Sequence, residues 1–312
     1  MEFKHYSVML NECLEGLNIR PDGVYVDGTA GGAGHSREIA KRLTTGRLLA
    51  LDQDPDAVKT ASDRLREFPG AQVIRANFRE VSQVLKSVGI SGIDGMLMDL
   101  GVSSFQLDNR ERGFSYREDA PLDMRMSREG LSARDVINTY EPGALVRILR
   151  EYGEEKFAKN IVSRIVRERE KSPIETTLQL VELIKQAIPA AARREKNPCK
   201  RTFQAVRIEV NGELDSLSQG LDQAFRCLNP GGRLVVITFH SLEDRLVKQR
   251  FKEWCTGCVC PPELPVCVCG QTPRAKLVYK KPILPSEKEL AENSRSKSAK
   301  LRILEKIKDQ TN

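Results

Sequence analysis

Residues 24–36 read Val24-Tyr25-Val26-Asp27-Gly28-Thr29-Ala30-Gly31-Gly32-Ala33-Gly34-His35-Ser36. Three strand-forming residues run into a carboxylate, then into a turn with four glycines in seven residues, then into a helical pattern from about Ser36 to Leu43. Glycines between a strand and a helix N-terminus let a ligand approach the backbone closely. Working outward, Arg47 to Leu51 is a second strand ending on Asp52, and Asp54-Pro55 opens the next helix. Gln72 to Ala76 and Ile93 to Met98 are the third and fourth strands, the latter stopping at Asp99. Short apolar runs alternating with helical patterns predict an α/β fold, a parallel sheet flanked by helices.

The fifth strand, Arg233 to Phe239, comes much later, after the turn Asn229-Pro230-Gly231-Gly232. Lys276 to Ile283 and Ala299 to Glu305 are then expected to close the sheet as a hairpin with a long connection. The stretch between strands four and five is far too long for one crossover helix, and most of it reads as helix. Ser172-Pro173-Ile174-Glu175 has the form of a capping box with proline at the first helical position. Ile174, Leu178, Val181, Ile184 and Ile188 then fall on one face. A further helix is expected over Glu154 to Glu170. The chain is thus read as a sheet domain, residues 1–109 and 202–312, carrying an inserted helical subdomain over 110–201.

With 312 residues, 40% hydrophobic and 30% charged, the chain can bury a sizeable core, which excludes a disordered or fibrous protein. No apolar run approaches the ~20 residues that span a bilayer, so no membrane association is expected. Met1 to Arg20 lacks a charged-then-apolar signal pattern, and a cytoplasmic protein is expected. The formal net charge of +7 is unevenly placed. Residues 1–110 carry 13 basic and 15 acidic side chains, residues 193–207 six and one, and residues 271–312 eleven and five. Two basic segments beside a near-neutral front half suit a polyanion docking on part of the surface; a solvated basic face is the plain alternative.

The glycine-rich loop alone would serve NAD, FAD, a nucleotide, S-adenosylmethionine or a purely structural turn. Two details narrow it. The loop lacks the Gly-Lys-Ser/Thr of a phosphate-cradling loop and leads with Asp27, which suits the ammonium of a methionine moiety better than a pyrophosphate. Asp52 then ends strand two eighteen residues after Gly34, where an acid can bind both ribose hydroxyls. A nicotinamide enzyme would open Gly-x-Gly-x-x-Gly directly after the first strand, which this loop does not.

Longer motifs point further. They are His5-Tyr6-Ser7-Val8-Met9-Leu10-Asn11-Glu12, the loop Asp27 to Ser36, Leu51-Asp52-Gln53-Asp54-Pro55, and Asp99-Leu100-Gly101-Val102-Ser103-Ser104-Phe105-Gln106-Leu107-Asp108. Glu111-Arg112-Gly113-Phe114-Ser115, Pro121 to Met126, Arg201 to Ile208 and Phe239-His240-Ser241-Leu242-Glu243-Asp244-Arg245 complete the set. Together they resemble the RsmH (MraW) family of bacterial 16S rRNA cytosine-N4 methyltransferases, nearly end to end. The resemblance implies a class I S-adenosylmethionine-dependent, Rossmann-like methyltransferase fold with an inserted substrate-recognition domain, and 16S rRNA or the small ribosomal subunit as partner. It implies cofactor contacts at Ala33, Gly34 and His35 (methionine end), Asp52 (ribose), Phe78 (adenine), and Asp99 and Gln106 (methyl-bearing region). On its residues alone, Phe78 would read as core filling.

Methyl transfer to an exocyclic cytosine amine needs alignment and an acceptor for the amine protons, because the nitrogen lone pair is delocalised into the ring. Asp99 is the catalytic candidate. Many amino-methyltransferases carry Asp/Asn-Pro-Pro-aromatic at that place, and this chain has Asp99-Leu100-Gly101-Val102 instead. His240 is a second candidate, with a structural hydrogen bond at the strand terminus as its plain reading. The base must leave its stack to react, so basic side chains are expected along the strand. Arg193, Arg194, Lys196, Lys200 and Arg201 are the first cluster, and Lys280, Lys281, Arg295, Lys297 and Lys300 the second. A non-catalytic RNA-binding protein on the same fold would not need the intact loop, Asp52 and Asp99; another nucleic acid as substrate stays open.

Cys13, Cys199 and Cys227 are scattered and read as buried or incidental thiols. The other five cysteines fall between Cys255 and Cys269, with Cys-x-Cys at 258–260 and again at 267–269. In a cytosolic chain this argues against disulfides and raises zinc, although the spacing is not that of a standard finger and the resemblance carries no metal requirement. No metal ligand is assigned from the sequence.

Overall fold

The computed structural model describes residues 7–190, 197–258, 260–261, 266 and 268–307. The chain forms two compact units, one of Met1–Gly101 with Leu214–Asn312 and one of Val102–Glu213. His5 and Tyr6 of the first motif, Arg193, Arg194 and Lys196 of the first basic cluster, and Cys267 lie outside the described residues.

The first unit is built on a seven-stranded sheet: β1 Val24–Asp27, β2 Arg47–Asp52, β3 Ala71–Arg75, β4 Ile93–Asp99, β5 Leu228–Thr238, β6 Ala275–Leu277 and β7 Lys300–Lys306. Its order is β3-β2-β1-β4-β5-β7-β6. The first five strands are parallel, and β7 runs antiparallel to both β5 and β6. The order reverses between β1 and β4, and in open parallel sheets that switch point is where ligands bind, beyond the carboxyl ends of the strands. Both faces are covered, so the strands read as continuous apolar runs. Leu48, Ala50, Leu97, Val235 and Ile237 enter one core. Their alternates Leu49, Leu51, Met96, Met98, Leu234 and Val236 enter the other. In that second core the Phe225 and Trp254 rings stack with centroids 4.2 Å apart.

The second unit is helical: Ser104–Asp108, Ala133–Thr139, Pro142–Glu151, Ala158–Arg169, Thr177–Ala187 and Lys200–Asn211, around a core including Ile137, Leu145, Ile148, Ile161, Leu180 and Phe203. It takes in 102–109 and 202–213, which the sequence pattern assigns to the sheet domain. The reason is packing: Val102 and Leu107 lie against its core, and Phe203, Ala205 and Val206 are part of it. The motif residues Arg112 and Gly113 prove to be structural. Buried Arg112 donates to the carbonyls of Arg125 and Met126 at 2.8 and 2.9 Å. Gly113 sits at φ +67, where a Cβ would run into the Pro121 carbonyl oxygen. Asn211 completes the fastening, donating to the Met124 carbonyl and accepting from Met126 N–H.

Two helix starts move. The helix expected from Glu154 begins at Ala158, because Glu154 is left-handed (φ +49) and Glu155 accepts from the Phe157 N–H. The capping box expected at Ser172 is made instead by Thr176 and Gln179. Ile174 is held extended by Asn138, which donates to its carbonyl and accepts from its N–H, so the helix cannot start before Thr177. No helix among the described residues is long and apolar enough to cross a membrane.

The helix Glu213–Cys227 lays Leu217, Gly220, Leu221 and Ala224 on the sheet. At Gly220 an added Cβ would strike the Phe78 ring. Gly220→Ala should therefore cost about 1–3 kcal/mol as an overpacked contact. In a Phe78→Ala background the same change should cost less than half as much, read from paired urea titrations.

Candidate active site

Three adjacent parallel strands each end in an aspartate: Asp27 on β1, Asp52 on β2 and Asp99 on β4. Asp27 is buried, and its carboxylate looks inward. It accepts from Ser36 Oγ at 2.6 Å and from the Thr29 N–H at 3.1 Å, tying both ends of the glycine-rich loop together. It thus shapes the loop, a different task from the ammonium contact read from its position. Thr29 Oγ1 in turn accepts from the Asp99 N–H at 2.7 Å, which couples the loop to β4. The loop is joined to β2 by Ala30 N–H on the Leu51 carbonyl and Gly31 N–H on Asp52 Oδ2, both 2.8 Å. Gly31 and Ala33 both have positive φ, and Ala33 stands at the N-cap of the helix Gly34–Ala40. Gly34 leaves room for Ser7, whose Oγ occupies the space a Cβ would need.

His35 is buried on the first turn of that helix. Its Nε2 lies 3.0 Å from the Val8 carbonyl, which can only accept, so Nε2 carries a proton. The other nitrogen, Nδ1, faces Asp99 Oδ2 at 3.9 Å. Asp99 keeps 24% of its side-chain surface open, while its Oδ1 is buried with no hydrogen-bond partner among the described residues. Burial, reinforced by the charges of Asp27, Glu243 and Glu289, pushes the Asp99 carboxyl up to about 8. Burial likewise raises Asp52 to about 6, against the opposing pull of the Asp54 and Gly31 N–H groups that it accepts.

Phe78 follows β3, half-buried, with its ring against Gly220 and its Cβ near Gly28. Gln106 belongs to the helical unit, where it is buried and completes a capping box with Ser103. Its Oε1 accepts from the Ser103 N–H at 3.0 Å. His240 is the N-cap of the helix Ser241–Cys255. Its Nε2 is 3.1 Å from Glu243 Oε1 without a hydrogen bond forming there, and Glu243 Oε2 accepts from the Phe239 N–H at 2.8 Å. That supports the structural reading of His240.

Thr29, Glu243 and Glu289 were missed as participants. The spacing His240-x-x-Glu243 is a capping-box signal that could have found the second. Glu289 accepts from the Met9 N–H at 2.9 Å and from Ser296 Oγ, a contact across the chain that no local pattern announces. A cleft of about 1020 Å³ opens beside the loop, between Gly32, Ala33 and Gly34 and the helix Glu287–Glu292. Of the expected cofactor residues only Ala33 and Gly34 line it.

Lys200 and Arg201 are exposed on the helical unit, as are Lys280, Lys281, Arg295 and Lys297 on the sheet unit. Lys300 is already engaged, 3.1 Å from Asp244, which Arg302 shares. Cys13 and Cys199 are buried and Cys227 half-buried; burial pushes all three thiols up, to about 11 at Cys199, as expected of inert cysteines.

The MraW methylase family matches residues 2–307. Ribosomal RNA small subunit methyltransferase H 2 of Agathobacter rectalis is 60% identical over 311 residues, covering 98% of this chain and 99% of that protein. Ribosomal RNA small subunit methyltransferase H of Lachnospira eligens is 54% identical over 311 residues, with 98% and 99% covered. The protein of that name from Clostridium botulinum (strain Kyoto) is 54% identical over 309 residues, with 98% and 100% covered.

An unfolded Asp99 or Asp52 ionises near pH 3.9, whereas the folded groups hold their protons to about pH 8 and 6. Between those limits the unfolded chain has released protons that the folded one keeps, so stability falls as pH rises and levels off above 8. The urea midpoint of the ligand-free protein should drop from pH 5 to pH 8. Asp99→Asn should remove the part of the drop between pH 6 and 8, leaving that variant the more resistant at pH 8. A flat wild-type profile would contradict the assignment.

Proposed function

This chain belongs to the MraW methylase family, and on that premise we propose that it transfers a methyl group from S-adenosylmethionine to N4 of a cytidine in 16S rRNA. The observation that carries the reading is the row of three aspartate-ended strands at the switch point of the sheet, bound together through one glycine-rich loop. The relatives' names supply the small-subunit rRNA as substrate.

The residues suit this cofactor. A sulfonium cation is favoured beside carboxylates, and Asp99 offers a buried oxygen with no partner among the described residues. Each oxygen of Asp52 accepts one backbone N–H, leaving lone pairs for ribose hydroxyls. Ala33, Gly34 and His35 bring backbone to the methionine end, Phe78 offers a ring to the adenine, and Gln106 completes the expected set. When bound, the cofactor supplies an already activated methyl group.

What the chain must do is align the amine and take up its protons. Asp99 is the acceptor for those protons. Cationic charge beside it draws its carboxyl back toward the ionised, accepting form. His35 Nδ1, at 3.9 Å, holds the rim of that pocket and limits where the carboxylate can swing. Lys200, Arg201, Lys280 and Lys281 are the proposed phosphate contacts.

Protein incubated with methyl-labelled cofactor and ribosomal particles from a strain lacking this gene should place the label in N4-methylcytidine of 16S rRNA. Label in another nucleoside or in protein would refute the substrate assignment. Asp99→Asn should lower turnover by about 10²-fold or more, with cofactor affinity measured separately by calorimetry. Equal turnover and equal affinity would remove Asp99 from the chemistry. RNA binding should weaken steeply with salt, and Lys200→Ala with Arg201→Ala should flatten that slope by about one to two phosphate contacts.

A further inference from the structure

The loop that follows the helix Ser241–Cys255 gathers sulfur at the other end of the sheet. The sulfur atoms of Cys258, Cys260 and Cys269 all lie within 4.8 Å of one another. The pair Cys258 Sγ and Cys269 Sγ is 3.7 Å apart. Thiolates bound at about 2.3 Å around a tetrahedral zinc ion sit about 3.8 Å from each other. A disulfide would hold its sulfurs at about 2.05 Å. The spacing, also that of a thiol–thiol hydrogen bond, fits sulfurs sharing an ion. The Val268 N–H donates to Cys260 Sγ at 3.4 Å, the kind of outer contact that orients a coordinating thiolate and offsets its charge.

The surroundings explain why an ion would be useful. Among the described residues of the loop, Val266 and Val268 are 69% and 78% exposed. Its base is nevertheless fixed. The Arg274 N–H donates to the Trp254 carbonyl at 2.9 Å, and the Arg274 guanidinium lies over the Phe225 ring. A loop closed at the base, with exposed valines beyond it, is stabilised most by a cross-link near its tip.

We propose that Cys258, Cys260 and Cys269 bind a thiophilic divalent cation, zinc by preference, as a structural clasp. Each thiol gives up its proton on binding, and the three thiolates fill three corners of a tetrahedron. The clasp is remote in the sheet's own topology from the aspartate row. The loop rejoins the sheet where Ala275 pairs with Lys306, next to the row of Glu305, Arg233 and Gly95, four residues before Asp99 on β4. Asp99 pairs with Ile237 at the far ends of β4 and β5. Removing the ion should loosen the loop and leave the cofactor residues undisturbed.

Full-length protein purified without chelators should carry about one zinc per chain by elemental analysis. Replacing the ion with Co²⁺ should give intense thiolate-to-metal absorption in the near ultraviolet and visible d–d bands of a tetrahedral site. The intensity reports how many thiolates bind. Cys258→Ser with Cys260→Ser should lose the ion at least tenfold while S-adenosylmethionine affinity stays within twofold. Should that variant fail to fold, mercurial titration of the wild-type protein with a colorimetric zinc indicator tests the same point, with release expected in step with thiol blocking. Zinc below about 0.2 per chain after growth and purification in zinc-supplemented medium, with no cobalt charge-transfer band, would overturn the proposal. So would a Cys258–Cys269 disulfide found by non-reducing peptide mapping.

Discussion

The glycine-rich turn keeps its shape because a buried carboxylate sits at its centre. Asp27 is reached by Ser36 Oγ from the helix side and by the Thr29 N–H from the strand side. Thr29 passes the constraint on to β4 through the Asp99 N–H, and Gly31 passes it to β2 through Asp52. Three strand ends and one helix start are thereby fixed by side-chain and backbone hydrogen bonds rather than by packing alone. Replacing any one donor would leave a buried acceptor short of a partner, which is more costly than the bond itself is worth. The crevice is accordingly shaped in part by Asp27, Ser36 and Thr29, whose hydrogen bonds are made within the protein.

The same arrangement disfavours charge. Burial takes Asp52 and Asp99 out of water and so resists their ionisation, and nearby carboxylates add to it: Asp27 at both, Glu243 and Glu289 at Asp99. A ligand carrying positive charge offsets that cost, so part of its binding energy comes from correcting an unfavourable empty state. This is the usual relation between a destabilised site and a functional one.

Much of this was legible from sequence, for identifiable reasons. The strands announced themselves because both faces of the sheet are buried, making Leu48 to Leu51 and Met96 to Met98 unbroken apolar runs. Asp52 and Asp99 were legible because each stands where such a run stops. The misplacements share one cause, which is tertiary contact overriding local pattern. Ser172-Pro173-Ile174-Glu175 is a sound cap by composition, yet Asn138 claims Ile174 and moves the cap to Thr176. The ends of the helical unit were missed because Leu107 and Phe203 look equally apolar in either unit. Lys300 looked free because Asp244, its partner, is distant in sequence. Asp27 by position suits a ligand's ammonium, and the Ser36 hydroxyl and Thr29 N–H show that it faces the protein.

The interruption of the sheet also has a consequence for synthesis. Strands β1 to β4 leave the ribosome first, but the edge of β4 is completed only by Leu228–Thr238, beyond the whole of Val102–Glu213. At about 5–20 residues per second that edge waits roughly ten seconds for its neighbour. The intervening unit is continuous in sequence and is synthesised whole during the delay. A half-made sheet with an open apolar strand invites mispairing, so the nascent chain is most exposed to chaperones and aggregation at this stage, and translation pauses in codons 102–213 would lengthen the hazard.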